Sequence, residues 1–168
     1  MKLKEIDKSR YRKHLKVVFV SIVAALMATA LLVSTLIIQL FSTPGASHFW
    51  FNLMGVAIAA VMVIFVLKKL RQHPYMLEVV YVWDLKQMLN RIYRKQRKIE
   101  PKVEENNRDA MIIMNFQYCG SRQLYELDDN TITMENLIFK LKALEGRMQE
   151  SGLNTSTDEF TPDLLDQF

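Results

Sequence analysis

Between Val17 and Leu67 the chain has no Asp, Glu, Lys or Arg, a gap of 51 positions in a sequence of 168. Its 22 basic and 18 acidic residues therefore crowd onto the remaining 117 positions, which a mean hydropathy of +0.02 conceals. A disordered chain and an ordinary soluble globule are both excluded by that partition. Cysteine is nearly absent. Cys119 stands alone, so no disulfide, CxxC redox pair or cysteine metal cluster is available. The five glycines are scattered and form no phosphate-cradling loop. The three histidines, His14, His48 and His73, lack the spacing of a zinc site.

What fills the charge-free gap is apolar. Val17–Phe41 gives 25 uncharged residues and Phe49–Leu67 gives 19. At 1.5 Å per residue these reach about 37 and 28 Å, against a hydrocarbon core of about 30 Å. A cleaved signal peptide has a shorter apolar region and no second span at once behind it. The expectation is a transmembrane hairpin, with Ser42–His48 as a short periplasmic turn around Pro44-Gly45. Residues 1–16 hold seven basic residues against two acidic ones, and Lys68, Lys69 and Arg71 close the second span. The turn has no Lys or Arg, so the charge bias puts both termini in the cytoplasm. Phe49, Trp50 and Phe51 then fall at the far interface. Neither span holds an ionisable side chain for a proton relay. The small-residue pairs Ser21/Ala25, Ala24/Ala28, Ala30/Ser34 and Gly55/Ala59 fit either packing within the hairpin or self-association.

Residues 68–168 form the expected cytoplasmic domain, and their charge is polarised. Lys68–Lys102 has ten basic and three acidic residues, whereas Val103–Phe168 has five and thirteen. A helix is expected to start at Pro74 and stop at Pro101, with Leu85, Met88, Leu89, Ile92 and Ile99 on one face. Arg91, Arg94, Lys95 and Lys98 gather beside that face, and Tyr81 and Trp83 lie toward the membrane end. Such a basic helix suits an ordinary solvated face, anionic headgroups or a protein partner. No nucleic-acid motif accompanies it, and no nucleic-acid partner is expected. Beyond it, Arg108–Cys119 is expected to be a helix capped by Gly120, with Ser121–Leu127 a separate turn or two. Asp128-Asp129-Asn130 reads as a loop. Met134–Glu150 follows, N-capped by Thr133, with a seam of Leu137, Leu141, Leu144 and Met148. Gly152 ends that helix. Thr161-Pro162-Asp163 starts an acidic tail that suits docking on the basic helix or on another protein, and docking within the domain is the expectation because it offsets the charge separation.

The search for chemistry finds little. Glu126, Asp128 and Asp129 are the one acidic cluster with any claim to acid–base or cation work, but they lack EF-hand spacing and suit a turn. No nucleophile motif occurs. No cofactor, no metal and no catalytic residue is expected.

Three runs carry a resemblance: Ile6–His14 (IDKSRYRKH), His73–Trp83 (HPYMLEVVYVW) and Gly120–Thr131 (GSRQLYELDDNT). With the two spans they resemble a family of small bacterial membrane proteins known only as a domain of unknown function, number 3087. The resemblance covers essentially the whole chain. It implies a bacterial inner-membrane setting and supplies no activity. The expected fold class is an all-α membrane protein: a two-helix transmembrane hairpin followed by a small cytoplasmic helical domain. The leading expectation for function is a membrane anchor or adaptor whose domain binds a protein partner or a second copy. Candidate contacts are Arg91, Arg94, Lys95, Lys98, Tyr81 and Trp83. Alternatives are binding of anionic lipid or a small anion by the same basic face, and an enzyme with a carboxylate site.

Overall fold

The computed structural model describes residues 1–43, 47–130 and 132–168, and every regular element among them is helical. The expected Pro44-Gly45 turn lies outside the described residues. Among the described residues five α-helices run in order: α1 Lys8–Phe41, α2 Phe49–Leu70, α3 Leu77–Glu104, α4 Arg108–Asp128 and α5 Met134–Glu150. Short 3-10 turns occupy Pro74–Met76, Thr157–Glu159 and Pro162–Gln167. The chain divides into two compact units, residues 9–80 and residues 1–8 with 81–168.

The first unit is a pair of antiparallel helices. α1 is longer than its apolar run, because the basic stretch from Lys8 contains no breaker and continues the same helix. α1 and α2 are both long and apolar enough to cross a membrane, and only 6% and 11% of their most apolar stretches are buried. That fraction separates them from core helices of a soluble protein, which would be mostly covered. The two helices meet at Gly55, where an added Cβ would lie 2.8–3.0 Å from the Ser34 Cβ and backbone. Ser34, Gly55 and Ala59 are buried there, and the Ser34 hydroxyl donates to Asn52 Oδ1. Two of the small-residue pairs thus place members inside the hairpin, whereas Ala24 and Ala28 face outward.

The second unit is a helical domain with α4 at its centre. Ala110–Phe116 of α4 is buried on every side, and α3 contributes Val82, Leu85, Leu89, Ile92 and Ile99 to the same core. Leu141, Leu144 and Met148 of the α5 seam complete it. Three expectations need correcting. Proline does not stop α3 at Glu100: Pro101 sits inside the helix, which runs on to Glu104 and turns out through Asn106 at φ 58°. The proline removes the N–H that would have donated to the Arg97 carbonyl, and the helix tolerates this with only three residues of α3 still to follow. Asn107 then caps α4, its side chain accepting from Ala110 N at 3.0 Å.

Gly120 is not a C-cap either. α4 is one helix through Ser121–Leu127, and Gly120 lies in its middle because a Cβ would come within 3.0 Å of Leu89. Glycine serves here for close approach to α3 rather than for a left-handed turn. The left-handed residue is Asp129, at φ 55°, where the expected loop begins. Thr133 stands at the start of α5, but its side chain makes no capping bond.

Candidate functional site

The basic side of α3 is divided between two uses. Arg91 Nη2 contacts Asp166 Oδ1 at 3.2 Å, and Lys95 Nζ donates to the Leu165 carbonyl at 2.6 Å. The acidic tail therefore lies on the basic helix and occupies these two cations. Leu165 is buried beneath it, and just before it Phe160 stacks on Phe116 with ring centres 4.0 Å apart. Asn115, fully buried, fastens the connecting segment by donating to the Thr155 carbonyl at 2.8 Å. Arg108 and Glu159 add a surface pair at 2.7 Å.

Arg94 and Lys98 remain exposed and make no ion pair among the described residues, and Arg97 joins them. Positions 83, 90, 94 and 97 share one side of α3 at alternating helical spacing. Trp83 at the start of that stripe is 60% exposed, and Tyr93 beside it is 67% exposed. Asn90, Gln87, Asp84 and Arg94 line a hollow of about 500 Å³ on this side. The stripe therefore combines two uncovered aromatic rings with three uncovered cations.

Tyr81 does not belong to it. The ring is buried, its hydroxyl accepts from Lys4 N at 2.8 Å and donates to Gln123 Oε1 at 2.9 Å. Gln123 Nε2 closes the clasp on the Lys4 carbonyl. Burial pushes the phenol above its usual range, against the opposing pull of those two hydrogen bonds. Tyr81 thus holds the N-terminal segment to the domain, together with the Lys8–Asp129 and Lys2–Asp158 pairs.

The acidic cluster is dispersed by partners. Asp128 pairs with Lys86 at 3.0 Å, Asp129 with Lys8, and Glu126 lies 3.7 Å from Arg122, all on the surface. No group of metal-ligating side chains occurs among the described residues. Cys119 is half-buried, and burial raises its thiol pKa, the nearby Arg122 opposing and Glu145 adding to the effect. That environment favours the unreactive protonated thiol.

A further cluster, which sequence reasoning missed, lies in the hairpin unit. Glu78 is buried, with Arg10 Nε donating to its Oε1 at 2.5 Å and His14 Nδ1 standing 3.4 Å from its Oε2. His14 in turn stacks on Tyr75 at 3.8 Å. The arrangement neutralises a buried carboxylate and ties the basic start of α1 to the start of α3. Its members lie far apart in sequence, so no local spacing marks them. Tyr93 and Arg97 were legible in principle, since both fall out of phase with the 85–89–92–99 apolar stripe.

Comparison with known proteins adds one match. The family described as protein of unknown function (DUF3087) matches residues 1–165. No curated protein and no solved structure matches the chain.

Proposed function

Since the chain belongs to the DUF3087 family, whose description assigns no activity, we propose its role from the geometry: a bacterial inner-membrane anchor or adaptor. In this reading α1 and α2 form a transmembrane hairpin with both termini in the cytoplasm. The helical domain presents Trp83, Tyr93, Arg94, Arg97 and Lys98 to a protein partner at the membrane surface.

The observation that supports membrane insertion is the uncovered apolar surface of the two long helices. Phe19, Val20, Leu31, Leu32, Val61 and Phe65 are each more than 60% exposed. A contiguous apolar surface of that kind is unstable in water, and lipid tails cover it without further structure. For the docking face, the support is that its aromatic and basic residues stay uncovered after the acidic tail has taken Arg91 and Lys95. Exposed Trp, Tyr and Arg together are the residue types that anchor interfaces.

The test is in-cell photo-cross-linking from position 93 in the full-length chain. The expected result is a discrete cross-linked protein species that disappears on charge reversal at Arg94 and Lys98. Cross-linking to lipid alone, abolished by the same reversal, would favour the anionic-lipid alternative. A chain with no cross-link from this face would overturn the docking assignment.

A further inference from the structure

Within the helical domain, the last turns of α3 and the middle of α5 leave a groove of about 400 Å³ between them. Met114 of α4 and Leu144 of α5, both buried, form its floor. Arg147 of α5 donates to the Val103 carbonyl of α3 at 3.2 Å, so the two walls are tied and the groove is formed in advance of any occupant. Phe139 stands at the edge of the groove with 74% of its surface exposed. An uncovered ring on its own is ordinary. Beside an apolar hollow it puts a knob and a hole on the same patch of surface, and a knob cannot fill the hole it borders.

The charges that line this groove are sorted by wall. α3 brings Glu100 and Glu104, and α5 brings Lys140 and Arg147. Glu100 already accepts from Gln96 at 2.6 Å. Glu104 and Lys140 both line the groove, yet neither makes an ion pair among the described residues. A twofold contact joins a patch to its own copy, so a patch of one sign repels itself and a patch carrying both signs can match. The basic stripe of α3, with Arg94, Arg97 and Lys98, fails that condition. The groove meets it. A copy turned about a twofold axis beside Phe139 sets its basic α5 edge against the acidic α3 edge of the first, and the reverse holds by symmetry.

We propose that the occupant of this groove is a second copy of the chain: Phe139 of each protomer seats between α3 and α5 of its partner, and Lys140 of each pairs with Glu104 of the other. The hollow selects the ring, and the unpaired charges on opposite walls set the orientation. The groove shares no lining residue with the docking face on α3, and the inference does not depend on that face. One ring and one charge pair from each protomer make a small interface, so the association is weak and reversible.

Sedimentation equilibrium of the full-length chain in density-matched mild detergent tests it. The parent is expected to show a monomer–dimer equilibrium. Phe139→Ala, at an exposed position, should weaken the dimer by about a hundredfold, because two anchoring rings are lost per dimer, while circular dichroism stays that of the parent. Lys140→Glu and Glu104→Lys should each weaken it by about tenfold, since each puts like charges at both symmetry-related pairs. An equimolar mixture of those two variants restores both pairs across the interface and should dimerise as the parent does. Lys142→Glu, also on α5 but outside the groove, should change nothing. A parent that stays monomeric at every concentration, a dimer indifferent to Phe139→Ala, or a mixture no tighter than its components would overturn the proposal. So would a photo-cross-linker at position 139 that captures only an unlike protein in cells. The α3 docking face is read separately from position 93, so either assignment can fail without the other.

Discussion

Gly55→Ala adds one methyl group where α1 and α2 touch. The new Cβ would lie 2.8 Å from Ser34 Cβ, 2.9 Å from Ser34 N and 3.0 Å from Ser34 Cα. Carbon atoms pack best at about 3.5–4.0 Å, so each of these approaches is repulsive. Two of the three atoms belong to backbone, and no rotamer change can remove them. The helices must separate, which also strains the Ser34–Asn52 hydrogen bond. Overpacking of this kind costs about 1–3 kcal/mol. Alanine's better helix propensity offsets at most about 1 kcal/mol, so from a cost centred on about 2 kcal/mol a net loss of about 1 kcal/mol or more remains. The same substitution at Gly146 has the opposite sign. A Cβ there meets nothing within 4 Å, and the residue is inside α5, so the chain should gain up to about 1 kcal/mol. Unfolding of the full-length protein by SDS titration in mixed micelles, followed by circular dichroism and hydrogen exchange, measures both. A Gly55→Ala protein as stable as the parent, or a Gly146→Ala protein destabilised to the same degree, would refute the reasoning.

The remaining predictions concern the helical domain. Phe160→Ala deletes a fully buried ring stacked on Phe116 and should cost the tail its docking. The local loss is about 3–5 kcal/mol, and hydrogen exchange should show residues 160–168 exchanging freely while α4 stays protected; a protected tail would contradict this. Asn115→Ala leaves the Thr155 carbonyl without its donor. It should destabilise the domain by about 1–3 kcal/mol in thermal unfolding, and an unchanged midpoint would count against the bond. The Lys2 ammonium, with help from Ser156, holds the Asp158 carboxyl below its ordinary range. A lowered folded pKa stabilises above the unfolded value and is lost as pH falls through the folded one. Contact between residue 2 and residue 158, followed by NMR, should therefore persist at neutral pH and vanish only in acid below about pH 4. For Cys119 the shift is upward, so the pH dependence of alkylation should lie at higher pH in the folded than in the urea-unfolded protein; coincident profiles would refute it.

Most of the element order was legible because the punctuation is local. The charge gap marks α1 and α2, the 4-3-4 seam marks α5, and Thr161-Pro162 starts the tail's 3-10 turn. The misreadings at Pro101 and Gly120 share one cause. Each residue has two physical uses, ending a helix or being tolerated within it, and tertiary packing decides between them. Gly120 stays helical because Leu85 and Leu89 press on it, a contact between residues more than thirty positions apart. The candidate site was legible in composition and less so in detail. The basic run on α3 was visible, but its division was not, because Arg91 and Lys95 are taken by residues some seventy positions downstream. Tyr81 looked like a surface aromatic until the N-terminal segment folded over it.

Dual topology reporters read the central claim most directly, one fused after Phe168 and one inserted at Ser47, each scored for activity that requires either the cytoplasm or the periplasm. The account predicts a cytoplasmic signal after Phe168 and a periplasmic signal at Ser47, with the protein resisting alkaline extraction from membranes. Reporters on the same side of the membrane, or release of the chain by alkali, would contradict it.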